Sequence, residues 1–175
     1  ANAGTAMAVI RCLLKTDDKV SQGITHQSIV EGMSKAQLPG RFQIISQHPL
    51  VIFDVAHNPH AAGYLAEKLA QLPRYSDTKV RIVGMLGDKD IAGTLACLSP
   101  QADQWYVAPL NEFRGASAQV LAQHLDYPAV FDSVEQAWQQ AISEAQKNDI
   151  VVVCGSFHTV AHVMELLEKE SASGK

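Results

Sequence analysis

After Leu38-Pro39-Gly40 the chain alternates short apolar runs of strand length with amphipathic helical stretches, and this alternation constrains the fold more than any other feature. Two of the runs, Leu50-Val51-Ile52-Phe53 and Ile150-Val151-Val152-Val153-Cys154, contain no polar residue. A strand that is apolar on both faces must be covered on both, and the intervening helices are the crossovers that parallel strands require. The fold class is therefore α/β, a mainly parallel sheet with helices on both faces. The pattern predicts strands over residues 42–46, 50–54, 79–86, 104–108, 129–131 and 150–154. Helices are expected over 59–71, 91–98, 117–125, 134–147 and 159–168. Gln47-His48-Pro49 is too short for a crossover, so the first two strands pair antiparallel. In the helix that opens at Pro59, Tyr64, Leu65 and Leu69 fall near one face.

Before the break, Met7, Ile10 and Leu14 stand at helical spacing over residues 5–14. A second helical stretch covers 25–36, beyond the polar loop Lys15-Thr16-Asp17-Asp18-Lys19. Proline disfavours helix for the residue before it and glycine permits unusual dihedrals, so Pro39-Gly40 marks a boundary. Residues 1–38 belong to one domain and 39–175 to another. The chain opens Ala1-Asn2-Ala3-Gly4 without an initiator methionine and reads as a piece of something longer. Its tail, Ser171-Ala172-Ser173-Gly174-Lys175, is expected to fray.

Charged residues are 18% of the chain, the formal net charge is −4, and the two signs are interspersed, which points away from nucleic acid as a partner. No run is long enough to span a membrane and no signal peptide is visible. Cys12, Cys97 and Cys154 are widely spaced and odd in number, as suits reduced core thiols in a cytoplasmic protein. Trp105 and Trp138 read as core residues rather than cofactor platforms.

In an open α/β sheet, ligands bind beyond the carboxyl ends of the strands. Four polar corners occupy such places: Asp54-Val55-Ala56-His57-Asn58-Pro59, Gly84-Met85-Leu86-Gly87-Asp88-Lys89-Asp90, Ala108 to Gly115, and Cys154-Gly155-Ser156-Phe157-His158. An aspartate at a strand end can accept hydrogen bonds from a ribose diol. His57 and Asn58 lie at a helix start, where free amides and the helix dipole favour an anion. On spacing alone, Asp54 or Asn58 serves equally well as a helix cap. Asp88-Lys89-Asp90 suits a phosphate or carboxylate contact, or a solvated cap. Ser156 suits a substrate carboxylate, or again a cap. Arg41 is a guanidinium on a rigid bend, placed to clamp phosphate or simply to decorate the surface.

The phosphate-binding pattern G-x-x-x-x-G-K-[ST] is absent, as is G-x-G-x-x-G after a strand. If ATP is used, another domain grips its phosphates. His57 and His60, and His158 and His162, share helix faces, but no H-E-x-x-H motif accompanies them and no metal site is assigned.

Taken in series, Leu38-Pro39-Gly40-Arg41-Phe42-Gln43, Asp54-Val55-Ala56-His57-Asn58-Pro59-His60-Ala61, Gly84-Met85-Leu86 with Asp88-Lys89-Asp90, and Gly155-Ser156-Phe157-His158-Thr159-Val160-Ala161-His162-Val163 resemble the bifunctional folylpolyglutamate synthase/dihydrofolate synthases, members of the Mur ligase superfamily. The resemblance implies a Rossmann-like carboxy-terminal domain over 39–175, preceded by the last helices of a central ATPase domain over 1–38. It implies ATP with Mg2+, whose ligands lie mainly elsewhere, and L-glutamate, dihydropteroate and folates as substrates. By the same resemblance, Asn2 contacts adenine, Arg41 reaches the phosphates, Asp54 holds the ribose, His57 stands in the active cleft as the catalytic residue and Ser156 serves glutamate. An alanine at position 54 is then expected to weaken nucleotide binding and spare the fold.

The implied reaction is attack of a substrate carboxylate on the γ-phosphate of ATP, followed by displacement of phosphate from the acyl phosphate by the glutamate amine. Two other readings are a Mur-type ligase of peptidoglycan precursors and a non-catalytic α/β regulatory module. A phosphate loop encoded upstream would dispose of the second. The expectation is that residues 1–175 alone fold without catalysing, and ATP-dependent glutamate ligation by the purified chain would refute it.

Overall fold

The computed structural model describes residues 2–16, 23–35, 38–74, 80–84, 90–109 and 115–173, with backbone alone for Asn2, Ala3, residues 80–84 and Ser173. The chain divides into two compact units, Ala1–Leu38 and Pro39–Lys175. The first holds α1 (Asn2–Thr16) and α2 (His26–Lys35). Met7, Ile10 and Leu14 are the half-buried apolar residues of α1, as their spacing predicts, whereas Cys12 is exposed and so is not a core thiol. Val9, Leu13, Val30 and Met33 are also exposed.

The second unit contains β1 (Gln43–Gln47), β2 (Leu50–Asp54), α3 (Pro59–Ala70), β3 (Val80–Gly84), α4 (Ile91–Leu98), β4 (Gln104–Val107), α5 (Ala118–Ala122), β5 (Ala129–Val130), α6 (Val134–Glu144), β6 (Ile150–Cys154) and α7 (Phe157–Ser173). The strands form one sheet in the order β1-β2-β6-β3-β4-β5. β1 pairs antiparallel with β2, and the other four pairings are parallel. The expected α/β architecture is therefore the one observed.

Handedness explains where each helix lies. From β2 to β5 the chain steps across the sheet in one direction, and right-handed crossovers put α3, α4 and α5 on one face. The return from β5 to β6 reverses direction and puts α6 on the other. The two buried clusters match. Ile52, Ile150, Val152 and Cys154 pack with Leu65, Leu69, Leu95, Leu98 and Leu121, while Val51, Phe53, Val151 and Val153 pack with Val134, Trp138, Val160 and Val163. Successive side chains of a strand point to opposite faces, which is why β6 divides its residues between the clusters. Trp105 and Trp138 are both core residues, the latter edge-on to Phe53 at 6.1 Å between ring centroids.

Several boundaries differ from expectation for local reasons. Phe42 is not in β1 but adopts φ 44° in the bend before it. β1 carries a bulge between Ile44 and Ser46 that interrupts its register with β2, and Ile44 and Ile45 remain exposed on this edge strand. On α3 the buried residues are Ala62, Leu65 and Leu69, so Tyr64 points outward and meets Lys68 instead. α5 stops at Ala122, with tighter i to i+3 bonds at His124 and Leu125 before Tyr127 and Pro128. α6 stops at Glu144 because Asp149 accepts the Gln146 amide at 2.8 Å and folds the chain into a turn. α7 starts two residues early, on the Ser156 cap, and continues through Ser171 instead of fraying there, with the Ser171 hydroxyl bonded to the Leu167 carbonyl.

Among the described residues no helix is long and apolar enough to cross a membrane. The edge-on contact of Trp138 with Phe53 supports a whole helix–sheet face, so Trp138→Ala should cost about 3–5 kcal/mol of unfolding free energy. Urea denaturation measures this, and a loss under about 1 kcal/mol would mean that the ring is not a core element.

Candidate functional site

β2 and β6 lie side by side and in parallel, with Asp54 opposite Cys154 in the register. The segments that leave their carboxyl ends therefore emerge together at one edge of the sheet. After β2 the chain runs through Val55, Ala56 and His57 into α3; after β6 it turns at Gly155 into α7. The Gly155 φ of 115° is a backbone conformation that side-chain-bearing residues rarely adopt.

Asp54 is the organising residue of this edge. Its side chain is buried, with Oδ1 accepting the Ala56 amide at 2.8 Å and Oδ2 the Phe42 amide at 2.9 Å. The Gly40 carbonyl accepts the Val55 amide at 2.7 Å, and the Gly40 amide donates to Gln43 Oε1 at 2.9 Å. Gly40 is buried with φ 67°, and a Cβ there would meet Val55 Cγ1 at 2.8 Å. The bend that carries Arg41 is thus pinned on both sides to the end of β2. Asp54 does not cap α3. Asn58 does, through Oδ1 and the Ala61 amide at 3.0 Å.

An alanine at 54 would leave the buried Ala56 amide unpaired, at a cost of about 1–3 kcal/mol, and would release the part-buried Phe42 amide. The geometry thus predicts a loss of stability from this substitution alongside any loss of nucleotide binding. The carboxylate still has acceptor capacity, since its two oxygens offer about four lone-pair sites and the described amides occupy two.

Arg41 is exposed, and its guanidinium carbon lies 5.9 Å from the centroid of the Phe157 ring at the first residue of α7. His57 is half-buried with Nδ1 2.8 Å from the Val55 carbonyl. A carbonyl only accepts, so Nδ1 carries the proton and Nε2 is left for other partners. Ser156 caps α7. Its Oγ accepts the Thr159 amide at 2.9 Å and lies 2.7 Å from the buried Thr159 hydroxyl. If Thr159 donates to Ser156, the Ser156 hydrogen is free for a ligand.

The edge therefore brings together Arg41, Asp54, His57 and the α7 start that bears Ser156. Asn2 opens α1 in the other unit, and its side chain lies outside what the structure describes. Met85 to Lys89 of the second corner and Leu110 to Arg114 of the third also lie outside the described residues. Asp90, which is described, caps α4 through the Gly93 amide at 2.8 Å. Among the described residues no group of three or more His, Cys, Asp or Glu could hold a metal ion. The contributions of Phe42, Thr159 and Phe157 are not visible in the motifs. Phe42 acts through its backbone, and Phe157 meets Arg41 only once the strands are ordered.

The sequence pattern of the family described as Mur ligase, glutamate ligase domain, matches residues 40–157. The chain belongs to that family. It is 49% identical over 174 residues to the dihydrofolate synthase/folylpolyglutamate synthase of Escherichia coli strain K12, covering 99% of this chain and 39% of the relative. It superposes on the structure of E. coli FolC in complex with DHPP and ADP with a TM-score of 0.86 at 48% identity, covering 97% of this chain and 39% of that one. A bifunctional folylpolyglutamate synthase/dihydrofolate synthase with Mn, AMPPNP and L-glutamate bound matches with a TM-score of 0.79 at 55% identity, over 83% of this chain and 35% of that one. The chain spans about two fifths of the length of the curated relatives it matches.

Burial holds the Asp54 carboxyl above its ordinary value of 3.8, outweighing the opposing effects of the Phe42 and Ala56 amides and of Arg41. Between the ordinary and the raised value, the folded protein keeps a proton that the unfolded chain has released. The contribution of Asp54 to stability therefore falls as pH rises through that window and is level above it. Urea unfolding from about pH 3 to pH 8 should show the stability of the wild type relative to Asp54→Asn declining with pH to a plateau. A difference that is flat, or that grows with pH, would contradict the burial argument.

Proposed function

We propose that this chain is the carboxy-terminal part of an ATP-dependent ligase that adds L-glutamate to dihydropteroate and to folates through an acyl phosphate, with residues 1–38 belonging to its central ATPase domain. The observation that carries this reading is the convergence, at the carboxyl ends of β2 and β6, of a guanidinium, a buried carboxylate, an imidazole and a hydroxyl-capped helix start. The complexes of relatives with ADP, DHPP, AMPPNP, Mn and L-glutamate support the choice of ligands. The protein we propose is cytoplasmic, and its partners are these small molecules and its own central domain.

The groups at the edge suit the roles that the family resemblance implies for them. The pinned Arg41 meets the ATP phosphates as a planar donor fork. Asp54, already holding two amides, uses its remaining acceptor capacity for the ribose hydroxyls. The adenine contact of Asn2 rests on the family resemblance alone. Ser156 and the start of α7 take a glutamate carboxylate, a charge that the helix dipole favours. His57 presents Nε2 to the cleft, as an acceptor when neutral and a donor when protonated.

The acceptor carboxylate attacks the γ-phosphorus with departure of ADP, and the glutamate amine then attacks the acyl carbon with departure of inorganic phosphate and loss of a proton from nitrogen. These residues bind, orient and shield the reacting groups. The donor set of the described residues does not fit a metal site. Magnesium, which would stabilise charge on the transferring phosphoryl group, would be held mainly by ligands in the rest of the protein.

The test is phosphate release by the full-length protein given ATP, glutamate and one acceptor at a time. Dihydropteroate or a folate should support it, and Ser156→Ala should raise the glutamate KM by about tenfold, the loss of one charge-assisted hydrogen bond. Release supported only by a peptidoglycan precursor, or independent of glutamate, would overturn the assignment.

A further inference from the structure

We infer that Phe157 is a positioning residue, an aromatic platform that holds the Arg41 guanidinium ready for the nucleotide phosphates. The inference rests on the proposed role of Arg41. The backbone on either side of Arg41 is already fixed, at Gly40 by Val55 and Gln43 and at Phe42 by Asp54. The side chain is exposed, and a free arginine would lose several torsional freedoms on gripping an anion. Phe157 supplies the missing restraint, with its ring centroid 5.9 Å from the guanidinium carbon, within the range of a cation–π contact.

The position of the ring has no other explanation among the described contacts. Phe157 is 59% exposed and belongs to neither buried cluster, although apolar neighbours on α7 such as Val160 and Val163 do. A large apolar ring left mostly in water at the first residue of a helix gains less from burial than a core side chain and little from helix propensity. A flat π-face leaves the guanidinium edge and its donors open to phosphate, whereas a second carboxylate at that place would compete for them.

The experiment uses the full-length protein with the non-hydrolysable analogue AMPPNP as probe. Phe157→Leu should weaken AMPPNP binding by about two- to fivefold, the range of an exposed cation–π contact. It should raise the ATP KM by the same factor with kcat unchanged and leave the unfolding transition in place. Phe157→Tyr, which keeps the π-face, should restore binding, and Phe157→Leu should add nothing on an Arg41→Ala background.

If Arg41→Ala weakens binding and Phe157→Leu does not, the platform is refuted while the proposed function stands. An equal loss from Phe157→Leu with and without Arg41 would mean that the ring acts independently, which also refutes it. If Arg41→Ala leaves AMPPNP binding intact, both the phosphate role of Arg41 and the platform fall.

Discussion

The parallel pairing of β6 with β2 on one side and β3 on the other is the constraint on which the second unit depends. All five residues of β6 are buried, so the strand needs a layer of helices on each face, and only a chain that reverses its direction across the sheet provides both. The same pairing decides where chemistry can occur. It sets the ends of two strands that are distant in sequence next to each other, and each end runs into the start of a helix.

Within that frame Asp54 is a carboxylate whose described partners are backbone amides. Its two hydrogen bonds join the bend at residues 40–42 to the corner at residues 54–56, so a single side chain couples the entrance of the unit to the head of α3. Neighbouring Cys154 is buried. Burial, reinforced by the negative charge of Asp54, pushes its thiol up to about 12, so it stays a packed, unreactive group.

Much of this was legible in the sequence. Unbroken apolar runs specify parallel central strands, and Pro59 after Asn58 specifies a helix start, because burial on two faces and a missing amide are local properties of those residues. What escaped was non-local or shared between alternatives. Spacing left Asp54 and Asn58 as equal candidates for the cap of α3. Only the partner of Asp54 across the bend, the amide of Phe42, separates them. The end of α6 was missed because Asp149 terminates it from beyond, and Tyr64 was placed on the wrong face because it stands one position from the residue that is buried. The contact of Arg41 with Phe157 joins two motifs that each looked complete.

The bulge in β1 bears on how the unit behaves in company. β1 is an outer strand with two isoleucines in water, the composition that invites a second chain to zip onto the sheet. The extra residue between Ile44 and Ser46 breaks the even ladder that such a guest strand would have to copy. A single irregularity in register thus works against growth of the sheet by self-templating at this strand.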